Sequence, residues 1–479
     1  MPAGPARCDT EALFQREADS FNLNPVEAEA IPHPTMESEF LSLEAISDRI
    51  ETALRHSPAD ETEIVWLEKR RGKSRKRNRQ IEGRLNHERT IMVRVIDRRR
   101  VGSHRTGFGE IGELENGIRA AIAQSRSREP LPGLLHIPAD ETPTPELARL
   151  WDSQIANLNA KRAERLLEPW AGSRGTLDLQ WTAARIAVFN TRGVRRQAAV
   201  TAAGVEARIG RRPGGGRAAS AARSLDGLDI GRVFERAKQR HASGQEADLT
   251  SGPRPIVLSA EATAGLCDIL NRVAFSAVSY YQGSSFLREH LDVQVFDRAI
   301  HLRDDATDPS GLPFPFDLEG TAKRPVDLIL KGAPKTPAVD QRQAAQLGLE
   351  ATAHAIGGND ARAMNLYLAP GHLSEEQLLE AAEGGLWIGW LDQVECFEPS
   401  RVQVRAVARG VRRIADGKLA EGLPDLVWED SLLRAFSNLL GVGSEPVLRI
   451  SHDGVLGGIS TPAMAIADTT NLRPLLESI

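Results

Sequence analysis

Apolar residues recur at helical spacing at Leu43, Ile46, Ile50 and Leu54, and the run Ile64-Val-Trp-Leu67 that follows is β-prone. The pattern predicts a helix and then a strand. After a polar stretch reaching His87, Ile91, Val93 and Val95 alternate with their neighbours, and Leu114, Ile118 and Ile122 return to helical spacing. Residues 40–125 therefore read as helix, strands and helix. The proline-rich segment from Pro130 to Pro145 interrupts the periodicity, because proline removes a backbone donor and biases its predecessor away from the helix.

Beyond it a helix is expected near Glu146 to Leu167. Two β-prone runs flank Asn190-Thr-Arg-Gly193, which has the composition of a turn between antiparallel strands. Gly214, Gly215 and Gly216 mark a loop, and Ile230, Val233, Phe234 and Ala237 an amphipathic helix. Ser251-Gly-Pro253 then breaks the pattern. Pro255 to Ser259 reads as a buried strand, Leu266, Ile269, Leu270 and Val273 as a helix, and the remainder as short strands and turns. The expected class is α+β, with an N-terminal α/β domain over 39–250 and a β-rich domain over 251–479. Residues 1–38, rich in Pro, Ala and Glu with little periodicity, read as a mobile extension.

With 479 residues, 41% hydrophobic and 26% charged, the chain can bury ordinary globular cores. A net charge of -5 gives no global reason to expect nucleic-acid binding. No apolar run is long enough for a membrane span and no secretory signal pattern is present, so the cytoplasm is the expected location and no membrane partner is expected. Cys8, Cys267 and Cys396 form neither a CxxC pair nor an even framework, and read as reduced, structural thiols.

The chemistry of common hydrolases is missing from the motifs. No His-Glu pair has a second His one helical turn away, as a zinc peptidase helix needs. Glu350 and His354 are four apart but supply one imidazole, and His290 and His301 have no companion ligand in a recognised spacing. Neither a nucleophile elbow nor a phosphate-binding glycine loop occurs. Lys69 to Arg79 is the one strong charge cluster, with the charge to attract phosphates or acidic peptides. No aromatic residue interleaves it, and a solvated hairpin arm with a charged, aggregation-resistant edge is the plainer expectation.

Several short segments fall in one order: Pro255-Ile-Val-Leu-Ser259 before a helix, Gly283-Ser-Ser-Phe286, Phe316-Asp-Leu-Glu-Gly320 and Leu347-Gly-Leu-Glu-Ala-Thr-Ala-His354. Met364-Asn-Leu-Tyr-Leu-Ala-Pro-Gly371, Ser374-Glu-Glu-Gln-Leu378 and Gly384-Gly-Leu-Trp-Ile388 follow. In these elements, and in the general pattern of residues 40–125 and 176–242, the chain resembles the TldD/PmbA family, also called modulator of gyrase. Ala333-Pro-Lys-Thr-Pro337 departs from it where an apolar strand is usual, and Gln393 to Ala408 is irregular.

The resemblance implies one of two subunit types. The metal-binding type carries His-Glu, three residues and His on the helix after the first C-terminal strand, where this chain has Cys267-Asp-Ile-Leu-Asn-Arg272. It also carries a cysteine ligand near the C-terminus, where this chain has Leu448-Arg-Ile-Ser-His-Asp-Gly454. The chain thus resembles the PmbA (TldE) type, with no catalytic residue and no metal of its own. That resemblance implies a heterodimer with a metal-binding TldD-type homologue holding zinc, and unfolded or short peptides as substrates. Asp317, Glu319, Gly320, His354 and His452 are the residues expected on the substrate channel. A peptide-binding or chaperone-like module without hydrolysis, and a complex that modifies a natural-product peptide, are the alternatives.

Overall fold

The computed structural model describes residues 40–107, 111–130, 136–210, 214–242, 252–357, 360–451, 454–469 and 471–475. The expected mobile extension at 1–38 and the candidate His452 lie outside the described residues. The protein is α+β.

Six antiparallel strands make the first sheet: β1 (Glu61–Arg77), β2 (Gln80–Asp97), β3 (Arg100–Gly107), β4 (Thr176–Asn190), β5 (Arg195–Ile209) and β6 (Gly216–Ala222), ordered β3-β2-β1-β4-β5-β6. Along each strand alternate side chains point to opposite faces, so the sheet has two distinct surfaces. Ile64, Trp66, Ile91 and Val93 face helices α1 (Leu43–Arg55) and α2 (Ile111–Arg126), whose Ile46, Ile50, Leu114 and Ile118 complete that core. Ser42 caps α1 by accepting from the Ala45 amide. Further along the same face, Leu177, Leu179, Trp181 and Val205 pack on α3 (Ala160–Leu167) and α4 (Ile230–Arg240).

Two segments differ from the sequence reading. The expected helix near Glu146–Leu167 is a short turn at Ser153–Ala156 followed by α3, because Asp152 and Asn159 each cap a new start with their side chains. The polar stretch before His87 is strand throughout, with β1 and β2 paired from Glu61↔Ile96 to Arg77↔Gln80. Pairing holds there because the face below is covered. Ile81 and Leu85 pack on the α3 core. Lys76, fully buried, donates Nζ to the Ser173 and Gly175 carbonyl oxygens at 2.6 and 3.3 Å. The Asn190–Gly193 turn forms as read: Asn190 Oδ1 accepts from the Arg192 and Val194 amides, and Gly193 has φ +96°.

Every strand from β7 (Arg254–Leu258) onward belongs to other sheets. β7 pairs in parallel with Leu386–Ile388 and antiparallel with Met464–Thr469 in a six-stranded sheet. A second six-stranded sheet contains Leu302–Asp304, Val326–Leu330, Leu366–Leu368 and, at one edge, Val447–Ile450. The irregular Gln393–Ala408 region is a β-hairpin, Trp390–Glu398 with Gln403–Arg409, whose register shifts between Asp392 and Glu395 and again between Cys396 and Glu398. Helix α5 (Ala260–Ala274) lies in the core, with Leu266, Cys267, Ile269 and Leu270 buried among strands of these sheets.

Trp181 lies across β1 in the space that a side chain at residue 72 would fill, since a Cβ on Gly72 would meet its ring at 2.0 Å. Gly72→Val should therefore lower stability by about 1–3 kcal/mol through overpacking, read as a lower midpoint in urea unfolding with little change in slope.

Candidate functional site

On the opposite side of β1 and β2 from the helix-covered core, the second face of the first sheet meets the C-terminal part. Val65, Ile186, Val188 and Val200 pack there on Phe314, Phe316, Leu318 and Val455. Along this apolar seam lies a cluster of buried charge. Arg94 of β2 donates to Glu319 Oε1 at 2.6 Å and to Glu63 of β1 at 3.0 Å. Glu319 Oε2 in turn accepts from the Gln341 amide at the start of helix α6 (Gln341–Leu347), whose N-cap is Asp340. One side chain, Glu319, thus joins the first sheet to a helix far along the chain.

Glu319 is held in place by a tight turn. Asp317 Oδ1 accepts from the Glu319 and Thr321 amides, and Asp317 Oδ2 from the Ala355 amide at 3.0 Å. The turn closes at Gly320, with φ +80°, where a Cβ would come within 2.4 Å of Val194; both facts require glycine. The Ala355 bond brings in His354, which is buried with Nε2 3.2 Å from Asp304 Oδ1. Asp304 Oδ2 accepts from the Met364 and Asn365 amides, and Lys323 Nζ lies 3.7 Å from Oδ1. Neither His354 ring nitrogen makes a well-directed hydrogen bond among the described residues.

Arg94 bonds two of the buried carboxylates, Glu63 and Glu319, and lies in the field of Asp340, while Lys323 balances Asp317, and the electrostatics follow. Burial pushes the Glu63 carboxyl up to about 8, against the pull of Arg94 and helped by repulsion from Glu319. Burial and the Glu319 charge likewise raise Asp317 to about 7 and Asp340 to about 6. Burial alone would lower Arg94, but Glu63 and Glu319 outweigh it and hold the guanidinium above the usual arginine range. Asp304 is the opposite case: burial would raise it, yet Lys323, His354 and backbone amides hold it well below the usual carboxylate range. Burial, with Lys323 nearby, lowers His354 against the pull of Asp304.

The sequence-derived residues Asp317, Glu319, Gly320 and His354 are therefore brought together, but with side chains 3%, 4% and 1% exposed for Asp317, Glu319 and His354. They face one another. Two clefts open elsewhere, about 500 Å³ between α4 and Leu373–Glu376 and about 240 Å³ beside Tyr367 and His301, and none of the four lines either. Glu63, Arg94, Asp304, Lys323 and Asp340 escaped sequence reasoning. The one available signal was Arg94 itself, a lone cation in the apolar run Ile91 to Ile96.

At the positions where a metal motif would stand, α5 offers other chemistry. Cys267 is buried and its thiol pushed up to about 12 by burial, so it is protonated. Asn271 Nδ2 donates to the Ala363 carbonyl at 2.8 Å, and Asp268 turns outward to Arg272 at 3.2 Å. On the Val447–Ile450 strand, Arg449 reaches the Glu261 carbonyl at 3.2 Å. Among the described residues no three of His, Cys, Asp and Glu converge as a metal needs, so these donors do not fit a zinc ion.

The fold is α+β, with an antiparallel sheet docked on a β-rich C-terminal part. Residues 251–471 match the model of the PmbA/TldA metallopeptidase C-terminal domain. Residues 251–471 thus carry a domain of the TldD/PmbA family. The chain is similar to TldE from Thermococcus kodakarensis, with 18% identity over 88% of this chain and 99% of that one and a TM-score of 0.78. A protein described as a modulator of a DNA gyrase from Thermotoga maritima is alike at 18% identity, 88% and 99% coverage and a TM-score of 0.77. At such identities these likenesses establish the fold. A metalloprotease from Methanothermobacter thermautotrophicus is 28% identical over 191 residues, 37% of this chain, which spans 39% of that relative's length.

Removing the guanidinium would leave Glu63 and Glu319 buried without their shared cation. Arg94→Ala should cost about 3–5 kcal/mol in chemical unfolding, with Arg94→Lys losing less. The raised carboxyls also set a pH dependence. Glu63 binds its proton more tightly in the folded state than at its ordinary 4.5, so its contribution is complete below that value and is lost as pH rises through about 8. The melting temperature should fall between about pH 5 and about pH 8, and Glu63→Gln should flatten that slope in a calorimetric pH series.

Proposed function

We propose that this chain is the non-metal-binding subunit of a TldD/TldE-type metallopeptidase acting on unfolded or short peptides, with zinc supplied by a metal-binding homologue in a heterodimer. The observation that carries the reading is the donor set on α5 and the Val447–Ile450 strand. A family whose C-terminal domain is described as a metallopeptidase here has a protonated, buried Cys267, a hydrogen-bonded Asn271 and an arginine, Arg449, where ligands would be required. The likeness to TldE supports the same assignment.

In this reading the work of the chain is geometric. A long antiparallel sheet, clamped to the C-terminal part through Arg94, Glu63 and Glu319, forms one wall of an enclosed path that an extended peptide enters and a folded protein does not. Asp317, Gly320 and His354 hold the turn and strands behind that wall in position, and catalysis takes place on the partner.

The chain alone, with or without added zinc, should show no hydrolysis of a denatured casein substrate. Co-expressed with a relative carrying the His-Glu-three-residue-His motif, it should give activity that a chelator abolishes. Hydrolysis by the isolated chain would refute the assignment.

A further inference from the structure

The basic run does not occupy a strand edge. β1 is an interior strand, paired with β2 up to Arg77↔Gln80 and with β4 up to Arg77↔Thr176, so protection of an exposed edge does not account for its charge. The period of two divides the run. Arg70, Gly72, Ser74 and Lys76 belong to the helix-covered face, where Ser74 and Lys76 are fully buried. Lys69, Arg71, Lys73, Arg75 and Arg77 stand on the other, with Arg71, Arg75 and Arg77 exposed. This second face continues from the one that Phe314, Phe316 and Leu318 cover at Val65 and Val188. The sheet is longer than its cover, and the uncovered half is basic.

Internal pairing neutralises only part of this charge. Lys69 lies 3.4 Å from Glu88, and Arg75 makes two bonds to Asp178 at 2.6 and 3.0 Å. Lys73, Arg77 and Arg84 have no carboxylate partner among the described residues, and Lys73 stands directly opposite Arg84, a like-charge pair that destabilises a bare sheet. Beside Lys73 a pocket of about 100 Å³ is walled by Arg208, Arg449 and Ile450 together with Asp178 and Glu206, whose charges Arg75, Arg208 and Arg217 pair. All this belongs to a chain whose net charge is -5.

We propose that this open face, from Lys69 to Arg77 on β1 with Arg84 beside it, is a docking surface for an acidic, extended stretch of polypeptide. Cations two residues apart on a strand repeat at about 6.7 Å, the spacing of alternate side chains in an extended peptide, so acidic residues at every second position meet the β1 ladder in register. Single-stranded nucleic acid fits less well, because no aromatic side chain stands on this face of β1, β2, β4 or β5 to stack a base. The inference concerns what this chain binds by itself and does not require the subunit assignment.

The test is fluorescence anisotropy on the isolated full chain with a labelled peptide of alternating Glu and Ala, its Gln-Ala counterpart and a single-stranded oligonucleotide of equal charge. The Glu-Ala peptide should bind, weaken as salt rises, and lose about ten-fold or more in affinity in the Lys73→Gln, Arg77→Gln, Arg84→Gln variant. Carbodiimide treatment of the unmodified chain with bound peptide should crosslink the peptide's carboxylates to Lys73, a readout independent of how the variant folds. Equal binding of the Gln-Ala peptide, tighter binding of the oligonucleotide, or crosslinks that miss this face would overturn the proposal.

Discussion

Arg94, shared between Glu63 on the neighbouring strand and Glu319 from the C-terminal part, is the interaction on which the arrangement of the molecule depends. Taking these ionisable groups out of water is costly, and the hold of Arg94 on Glu319 and Glu63 offsets the cost only while the geometry is kept and the remaining lone pairs are satisfied. The surroundings are built to that requirement. Asp317 spends its carboxylate on three backbone amides to shape the turn that presents Glu319, Gly320 closes that turn against Val194, and the second Glu319 oxygen caps α6. An apolar seam supplies adhesion without direction; the ion cluster supplies the register in which the sheet docks.

Much of the first sheet was legible from apolar alternation, and the TldD/PmbA resemblance was legible from short motifs in order. What the sequence could not display was partnership. Glu63 and Arg94 are ordinary charged residues within β-prone runs until folding brings Glu319, 225 residues beyond Arg94 in the chain, onto the same guanidinium. The hairpin extension shows no apolar alternation because its buried face is made of Gly72, Ser74 and Lys76, residues that are held in strand by Trp181 and the Ser173 and Gly175 carbonyls, which fill and satisfy the space around them. The Glu146–Leu167 segment failed as one helix for a local reason that is readable in retrospect, two capping residues at Asp152 and Asn159.

The same sheet serves two ends. Near Val65 its second face is spent on holding the C-terminal part, and beyond Lys69 it emerges as an open basic surface. Helix α5 presents a buried thiol and a hydrogen-bonded amide, while the basic residues of β1 beyond Lys69 stand on the open part of the sheet.

The most direct test of the subunit assignment is native mass spectrometry of this chain purified alone and after co-expression with a metal-motif relative. The account predicts a metal-free species for the lone chain and an assembly containing both chains with one zinc for each metal-motif chain. A zinc ion bound stoichiometrically to the lone chain would contradict it.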